Sequence, residues 1–271
     1  MTNLKSTPTT TVTLAIGGHD PSGGAGVQAD IESIVALGGY ATSTITCLTV
    51  QDTCNVQQLI PVASKVVIAQ AEAVLADLPV SAIKIGLIGN AEVAHALAQL
   101  LEQHPSIPVV VDPVLAAGGG TRLASEKLRQ TLLQELLPLT YLLTPNSQEA
   151  RALAGKDNLN DCAEILLQRG CRHLLITGTH EENSEVINSL YGQEGEIKHW
   201  QWPRLPNEYH GSGCTLAAAI ATLLAQGESL TEALYNAQDF AWQSLLHAHQ
   251  KLGRGQALPD RLYQLRQQLH G

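Results

Sequence analysis

Apolar positions along this chain switch repeatedly between two spacings. Val12 to Gly18 is a continuous apolar run of the kind that forms a buried strand, and Gly26 to Leu37 then sets Val27, Ile31, Ile34, Val35 and Leu37 at helical spacing. The same alternation predicts a strand over Thr42–Val50, a helix over Ser64–Leu78, a strand over Ala82–Ile88 and a helix over Ala91–Gln103. Val109-Val110-Val111 reads as a strand, Ser125–Leu137 as a helix and Tyr141-Leu142-Leu143 as a strand. A Thr144-Pro145-Asn146 turn and a helix through Leu153 follow. Cys162–Arg169 is helical and His173–Thr177 strand-like; Ser189–Tyr191 and Ile197–Trp202 flank Gly192 and Gly195 as a hairpin. Two helices, Cys214–Gln226 and Leu230–His249, come last. Such alternation predicts an α/β fold with a mostly parallel sheet, helices on both faces, a small antiparallel hairpin, and ligands at the strands' carboxyl ends. No repeat or linker divides residues 12–271, which are expected to form a single domain. Met1 to Thr11, polar and Thr-rich without an apolar core, reads as a disordered tail rather than a signal peptide.

Charge narrows the partners. With 16 Lys plus Arg against 25 Asp plus Glu, the net charge of −9 argues against a nucleic-acid surface, and no basic run suits acidic lipid. A small molecule is the expected partner. The 44% hydrophobic content of 271 residues can fill a large core, yet no stretch is long enough to span a bilayer. Five cysteines without a Cys-x-x-Cys pair signal neither a disulfide framework nor a zinc cluster, which fits a cytoplasmic protein.

The strongest chemical signal is His210-Gly211-Ser212-Gly213-Cys214-Thr215, small residues where a loop becomes a helix. Free first-turn amides and the helix dipole favour an anion there, and the same field is expected to lower the pKa of Cys214. A plain glycine start to a buried helix is the competing reading. Gly17 to Gly26 forms a second glycine-rich loop after the first strand. Within it Gly24-Ala25-Gly26-Val27-Gln28-Ala29 matches the dinucleotide pattern, but too far beyond the strand end to carry weight, and the Lys-Ser/Thr pair of a P-loop is absent. Asp30, on the first helix, reads from spacing as a solvent-facing carboxylate. Asp112 ends an apolar strand, with Gly118-Gly119-Gly120 beyond it as either a mobile flap or an ordinary surface loop. Asn146 and Glu149 share one face at a helix start and fit either magnesium binding or a capping box, with capping slightly favoured. Trp200 and Trp202 read as hairpin packing or a subunit contact rather than base stacking. Ten histidines show no metalloprotease spacing, and Ser22 and Ser212 form no acyl-transfer elbow.

Six colinear segments together resemble one family: Gly18-His19-Asp20-Pro21-Ser22-Gly23-Gly24-Ala25-Gly26-Val27-Gln28-Ala29-Asp30, Thr49-Val50-Gln51-Asp52-Thr53, Lys84-Ile85-Gly86-Leu87, Val111-Asp112-Pro113-Val114, Thr144-Pro145-Asn146-Ser147-Gln148-Glu149-Ala150 and His210 to Thr215. They resemble the bacterial hydroxymethylpyrimidine/phosphomethylpyrimidine kinases of thiamine biosynthesis, in the ribokinase-like superfamily. The resemblance implies a three-layer sandwich and transfer of the ATP γ-phosphoryl group to 4-amino-5-hydroxymethyl-2-methylpyrimidine, then to its monophosphate. It implies ATP and Mg2+ as cofactors, with a monovalent cation as an open addition, and a homodimer. By the same resemblance Asp30 and Gln51 contact the pyrimidine, with Gly18, Leu87 and Val114 lining its pocket. Gly211, Ser212, Gly213 and Cys214 form the anion hole, Cys214 standing where sugar kinases carry an aspartate base. Asp112 and Glu149 match positions near the magnesium-bound phosphates, and Asn146, Thr177 and Gly178 the nucleotide side. Two departures remove positive charge. Thr177-Gly178-Thr179-His180 stands where the family often has Lys-Gly-Gly-His, and the flap lysine is replaced within Gly118-Gly119-Gly120; Arg122 is a candidate compensation. A pyridoxal-type kinase and a pyrimidine-binding protein with weakened catalysis are the alternatives.

Overall fold

The computed structural model describes residues 10–270, so most of the polar tail lies outside the described residues. Nine strands form one sheet: β1 (Val12–His19), β2 (Tyr40–Gln51), β3 (Val56–Pro61), β4 (Val80–Ile85), β5 (Val109–Val111), β6 (Leu142–Leu143), β7 (His173–Ile176), β8 (Glu185–Gly192) and β9 (Gly195–Pro203). Their order is β3-β2-β1-β4-β5-β6-β7-β8-β9. Neighbours from β2 through β7 pair in parallel, while the β2–β3 pair on one side and the β7–β8 and β8–β9 pairs on the other are antiparallel.

The strands through the middle are apolar on both faces because helices cover both. Val109 and Val111 point into one core with Leu14, Ile16, Ile83, Ile85 and Leu143, closed by α2 (Ser64–Asp77), α3 (Ala91–Glu102), α4 (Glu126–Thr131), α5 (Ser147–Ala154) and α6 (Leu159–Gln168). Val110 points the other way, with Ala82, Leu142 and Leu175, toward α7 (Ser212–Ala225) and α8 (Leu230–Leu246). Alternate side chains of one strand thus serve two cores, the signature of a parallel sheet between helical layers. On that second face α1 (Gly26–Ala36) packs through Ile34 beside Ala15 and Ala218. The expected three-layer α/β sandwich is the observed one.

The deviations have local causes. The strand expected over Ala82–Ile88 stops at Ile85, and the chain continues through Gly86 and Leu87 as a loop lining the site. The helix expected to reach Leu137 passes at Leu132 into a π-helical turn and a short 3-10 turn containing Pro138, whose ring cannot continue an α-helix. The helix expected to reach His249 ends at Leu246. Sequence pattern missed β3, whose Val56-Gln57-Gln58-Leu59-Ile60-Pro61 does not alternate cleanly, and α9 (Tyr263–His270). The hairpin is longer than expected, with Glu185–Gly192 against Gly195–Pro203. All five cysteines are unpaired. No described helix is long and apolar enough to cross a membrane.

Candidate active site

A cavity of about 540 Å³ opens at the carboxyl ends of the parallel strands. Its lining includes Gly17–Asp20 at the end of β1, Lys84 and Leu87 at the end of β4, Asp112 and Val114 after β5, Thr144 and Asn146 after β6, and Thr177 after β7. This is where an open parallel sheet is expected to hold ligand, since crossover loops part there. Gly18, Asp30, Gln51, Leu87, Val114, Asp112, Asn146, Glu149, Thr177 and Gly211 to Cys214 all line this one cavity. Gly178 does not. Its amide donates to Asn188 Oδ1 at 3.1 Å, so a ligand cannot use it.

Asp30 corrects the expectation from spacing. It is fully buried, and Lys84 Nζ donates to its Oδ1 at 2.7 Å. Burial pushes the Asp30 carboxyl up to about 6 against the opposing pull of Lys84. Burial works against the Lys84 charge as well, but the Asp30 and Asp112 carboxylates outweigh it and hold the ammonium protonated. Both partners are therefore ionised at neutral pH, and Asp30 Oδ2 keeps no protein partner. In the sequence Lys84 stands in the Lys84-Ile85-Gly86-Leu87 segment, where local spacing assigns it no role. A lysine within an apolar strand was the available signal, because an unpaired buried ammonium is prohibitively costly and so announces a partner.

At the next strand end Asp112 is buried, with Oδ2 unpartnered. Burial raises its pKa, opposed by Lys84 and the Cys214 thiol. Glu149 faces it from α5. Burial and the Asp112 carboxylate push Glu149 up to about 8, opposed by the amides of Asn146 and Leu115. The capping box is real: Asn146 Oδ1 accepts from Glu149 N at 2.9 Å and Glu149 Oε2 from Asn146 N at 3.0 Å. Capping and site lining coexist, because the box aims the second carboxylate oxygen into the cavity mouth, where Leu115 N reaches it at 3.4 Å. No cluster of three metal-ligating side chains occurs among the described residues.

The two glycine loops meet opposite. Gly211 is the N-cap of α7 in the left-handed region (φ 81°), and a Cβ on it would overlap the Gly24 carbonyl. Only glycine permits that approach. Asp20 organises the first loop, accepting from Ser22 N at 2.8 Å, Ser22 Oγ at 2.7 Å, Ala25 N at 2.8 Å and His210 Nε2 at 2.8 Å. Burial alone would raise the Asp20 pKa, yet the bonds from His210 and Ser22 hold it well below the usual carboxylate range. The His210–Asp20 link between the loops was not legible in the sequence, where the two lie far apart.

Cys214 corrects a second expectation. Although it opens onto the cavity, burial pushes its thiol up to about 12, with Asp112 and Asp30 adding and Lys84 opposing. Desolvation and two carboxylates outweigh the helix N-terminus, so the thiol is protonated at neutral pH.

The far end of the cavity is aromatic. Trp202 sits in its wall, 6.3 Å from Trp242 and 6.1 Å from Tyr235 between ring centroids, and its Nε1 donates to Gln238 Oε1 at 3.0 Å. Trp202 thus does more than the hairpin packing or subunit contact expected of it, whereas Trp200 is buried as expected of packing. The triple glycine is a folded turn, with Ala117 N bonded to Thr121 O at 2.8 Å and Gly119 O accepting from Asn55 Nδ2 at 3.3 Å.

Known proteins resemble this chain over most of its length. A hydroxymethylpyrimidine/phosphomethylpyrimidine kinase from Haemophilus influenzae is 37% identical over 86% of this chain and 90% of its own length. A phosphomethylpyrimidine kinase crystal structure from Clostridium difficile superposes with a TM-score of 0.75 at 33% identity, covering 87% of this chain and 99% of that one. A Bacillus subtilis pyridoxal kinase in an ADP complex gives a TM-score of 0.86 at 26% identity, covering 96% of this chain and 100% of that one. The phosphomethylpyrimidine kinase family model matches residues 20–259, a span that contains the first glycine loop from Asp20 onward, the second glycine loop, Lys84, Asp112, Glu149 and Cys214. The chain belongs to the phosphomethylpyrimidine kinase family.

Proposed function

We propose that this protein transfers the γ-phosphoryl group of ATP to the hydroxymethyl oxygen of 4-amino-5-hydroxymethyl-2-methylpyrimidine and then to the phosphate of the product, giving the diphosphate for thiamine biosynthesis. One observation carries the reading: a single cavity joins a pocket bearing Asp30 and Gln51 to the free amides at the start of α7. The Gln51 amide can pair with a ring nitrogen and the exocyclic amine, and the unpartnered Asp30 Oδ2 can accept from that amine. Gly18, Leu87 and Val114 would hold the ring. The Gly211–Cys214 amides would receive the transferred group, while Asn146 and Thr177 would border the nucleotide, its base toward Trp202 and Trp242.

The unpartnered Asp112 Oδ2 and Glu149 fit a divalent cation, which would displace the Glu149 proton to solvent and offset the repulsion between the two carboxylates. Bound Mg2+ would neutralise charge on the phosphates. Phosphoryl transfer needs mainly positioning and charge stabilisation, so Cys214 acts in this reading as a neutral floor to the anion hole rather than a ready-made base. We place the protein in the cytoplasm as a homodimer. Its dimer contact would be the β2–β3 edge, where Tyr40, Leu48, Val50 and Ile60 stand exposed.

Pyridoxal phosphorylation is the second reading, favoured by the greater superposition on the pyridoxal kinase. The test incubates purified protein and Mg-ATP with each heterocycle and resolves products by mass. Mono- and diphosphorylated pyrimidine are expected; pyridoxal phosphate alone would overturn the assignment. Pyrimidine binding without ADP formation would make the protein a binder.

A further inference from the structure

Arg261 lies beyond the span matched by the family model and is 3% exposed. Its guanidinium makes three contacts, each to an element of the site's frame. Nε donates to Thr215 Oγ1 at 2.8 Å, one terminal nitrogen bonds Glu32 Oε2 at 3.0 Å on α1, and the other bonds the Gly24 carbonyl. The first bond continues, since the Thr215 hydroxyl donates to the Gly211 carbonyl at 2.8 Å. One planar fork therefore ties the first glycine loop directly, and the second through one hydroxyl, at the place where Gly211 and Gly24 touch.

We infer that Arg261 is a positioning residue for phosphoryl transfer, holding the Gly24 and Gly211 carbonyls so that the amides of Gly211 to Cys214 keep the orientation an incoming phosphoryl group requires. A guanidinium suits this because its donors diverge in one plane at fixed angles; a lysine would supply one point charge for three acceptors. The segment before it is fastened to the same rim. Gly255 N donates to Thr53 Oγ1 at 3.0 Å, Gln256 N to Thr53 O at 2.9 Å, and His210 N to Ala257 O at 3.0 Å. Residues 255–261 thus bind the β2–β3 turn and both glycine loops into one frame.

This inference rests on the kinase reading, and its test separates the two. Parent protein, Arg261→Gln, Thr215→Val and Glu32→Gln are compared for kcat, KM and amide hydrogen exchange. Misdirected anion-hole amides should lower kcat roughly 10- to 100-fold in Arg261→Gln, with KM for the heterocycle nearly unchanged. Thr215→Val, cutting the relay to Gly211, should fall similarly, and the double variant no further than the worse single. Glu32→Gln, touching only the surface arm, should stay within about twofold of the parent, as expected of an exposed charge. Exchange should quicken in peptides covering 22–27 and 209–216 and not in α3, a readout that needs no turnover. If the parent fails to phosphorylate the pyrimidine, the functional reading falls and the exchange pattern still decides the role of Arg261. Folded Arg261→Gln with parental kcat, or with unchanged exchange in both glycine loops, would overturn the role. Should Arg261→Gln fail to fold, Thr215→Val decides alone, and parental kcat and exchange there overturn it.

Discussion

Cys214 shows how far neighbouring charge can reverse a motif. At a helix start a thiol is ordinarily acidified, but here burial, Asp112 and Asp30 win, and a thiol near 12 is protonated in the free protein. Cys214→Ala is therefore expected to lower kcat by no more than about tenfold. A loss of about 10²–10⁴, the size of a general-base contribution, would restore the base. Glu149 carries a pH prediction. Its carboxyl titrates near 8 in the folded protein and near the usual 4.5 when unfolded, so the folded state holds the extra proton between those values. Stability from this group is complete below pH 4.5 and is lost as pH rises toward 8. Melting temperature should fall from pH 6 to 8 in metal-free buffer and fall less in Glu149→Gln; equal slopes would remove Glu149 from the account. Legibility at this scale was uneven. Asp30, Gln51, Asp112 and Glu149 were placed by motif, while the partner that decides the state of Asp30, Lys84, lies on β4, 54 positions away. Pairing across that separation comes from packing α1 against the sheet, which no local pattern contains.

Elements place these residues through turns more than through their own lengths. β1, β4, β5, β6 and β7 each deliver their contribution at the carboxyl end of the strand or in the few residues beyond it, which is why the shortened β4 matters: Leu87 reaches the cavity from the loop that follows Ile85. The start of α7 offers a test with two parts. Gly211→Ala must adopt φ 81° and drive its methyl into the Gly24 carbonyl, so both melting temperature and kcat should fall. A methyl on Gly213 would come no nearer than 3.6 Å to Asp112 Oδ1, so Gly213→Ala should keep its melting temperature yet lose turnover by filling ligand space. Equal melting temperatures for the two variants would contradict this account of the loop contact. The principal helices and strands were legible because their apolar spacing is regular. β3 and the π-helical turn at Leu132–Leu136 were not, since edge pairing and the Pro138 stop depend on what lies beside them.

At the scale of the whole molecule the sheet ends differently on its two sides. The β8–β9 hairpin is backed by α8 through the Asn188–Gln238–Trp202 hydrogen bonds, whereas the β2–β3 side exposes Leu48 opposite Ile60, with Val50 and Tyr40 on the same strand. Sedimentation should therefore show a dimer, and Leu48→Lys with Ile60→Glu should shift it to monomer; an unchanged dimer would move the interface elsewhere. The frame made by residues 255–261 has a further consequence, for biosynthesis. The cavity is lined from Gly17 to Gln256 and its loops are cross-braced by Arg261, so a nascent chain cannot offer a finished pocket until residues 255–261 have been made and have emerged from the ribosome. A small molecule stabilises only what can bind it, so heterocycle or nucleotide in the cell would protect completed chains from proteolysis and leave prematurely terminated ones unprotected. Ligand occupancy would thus act as a check that synthesis had passed Arg261.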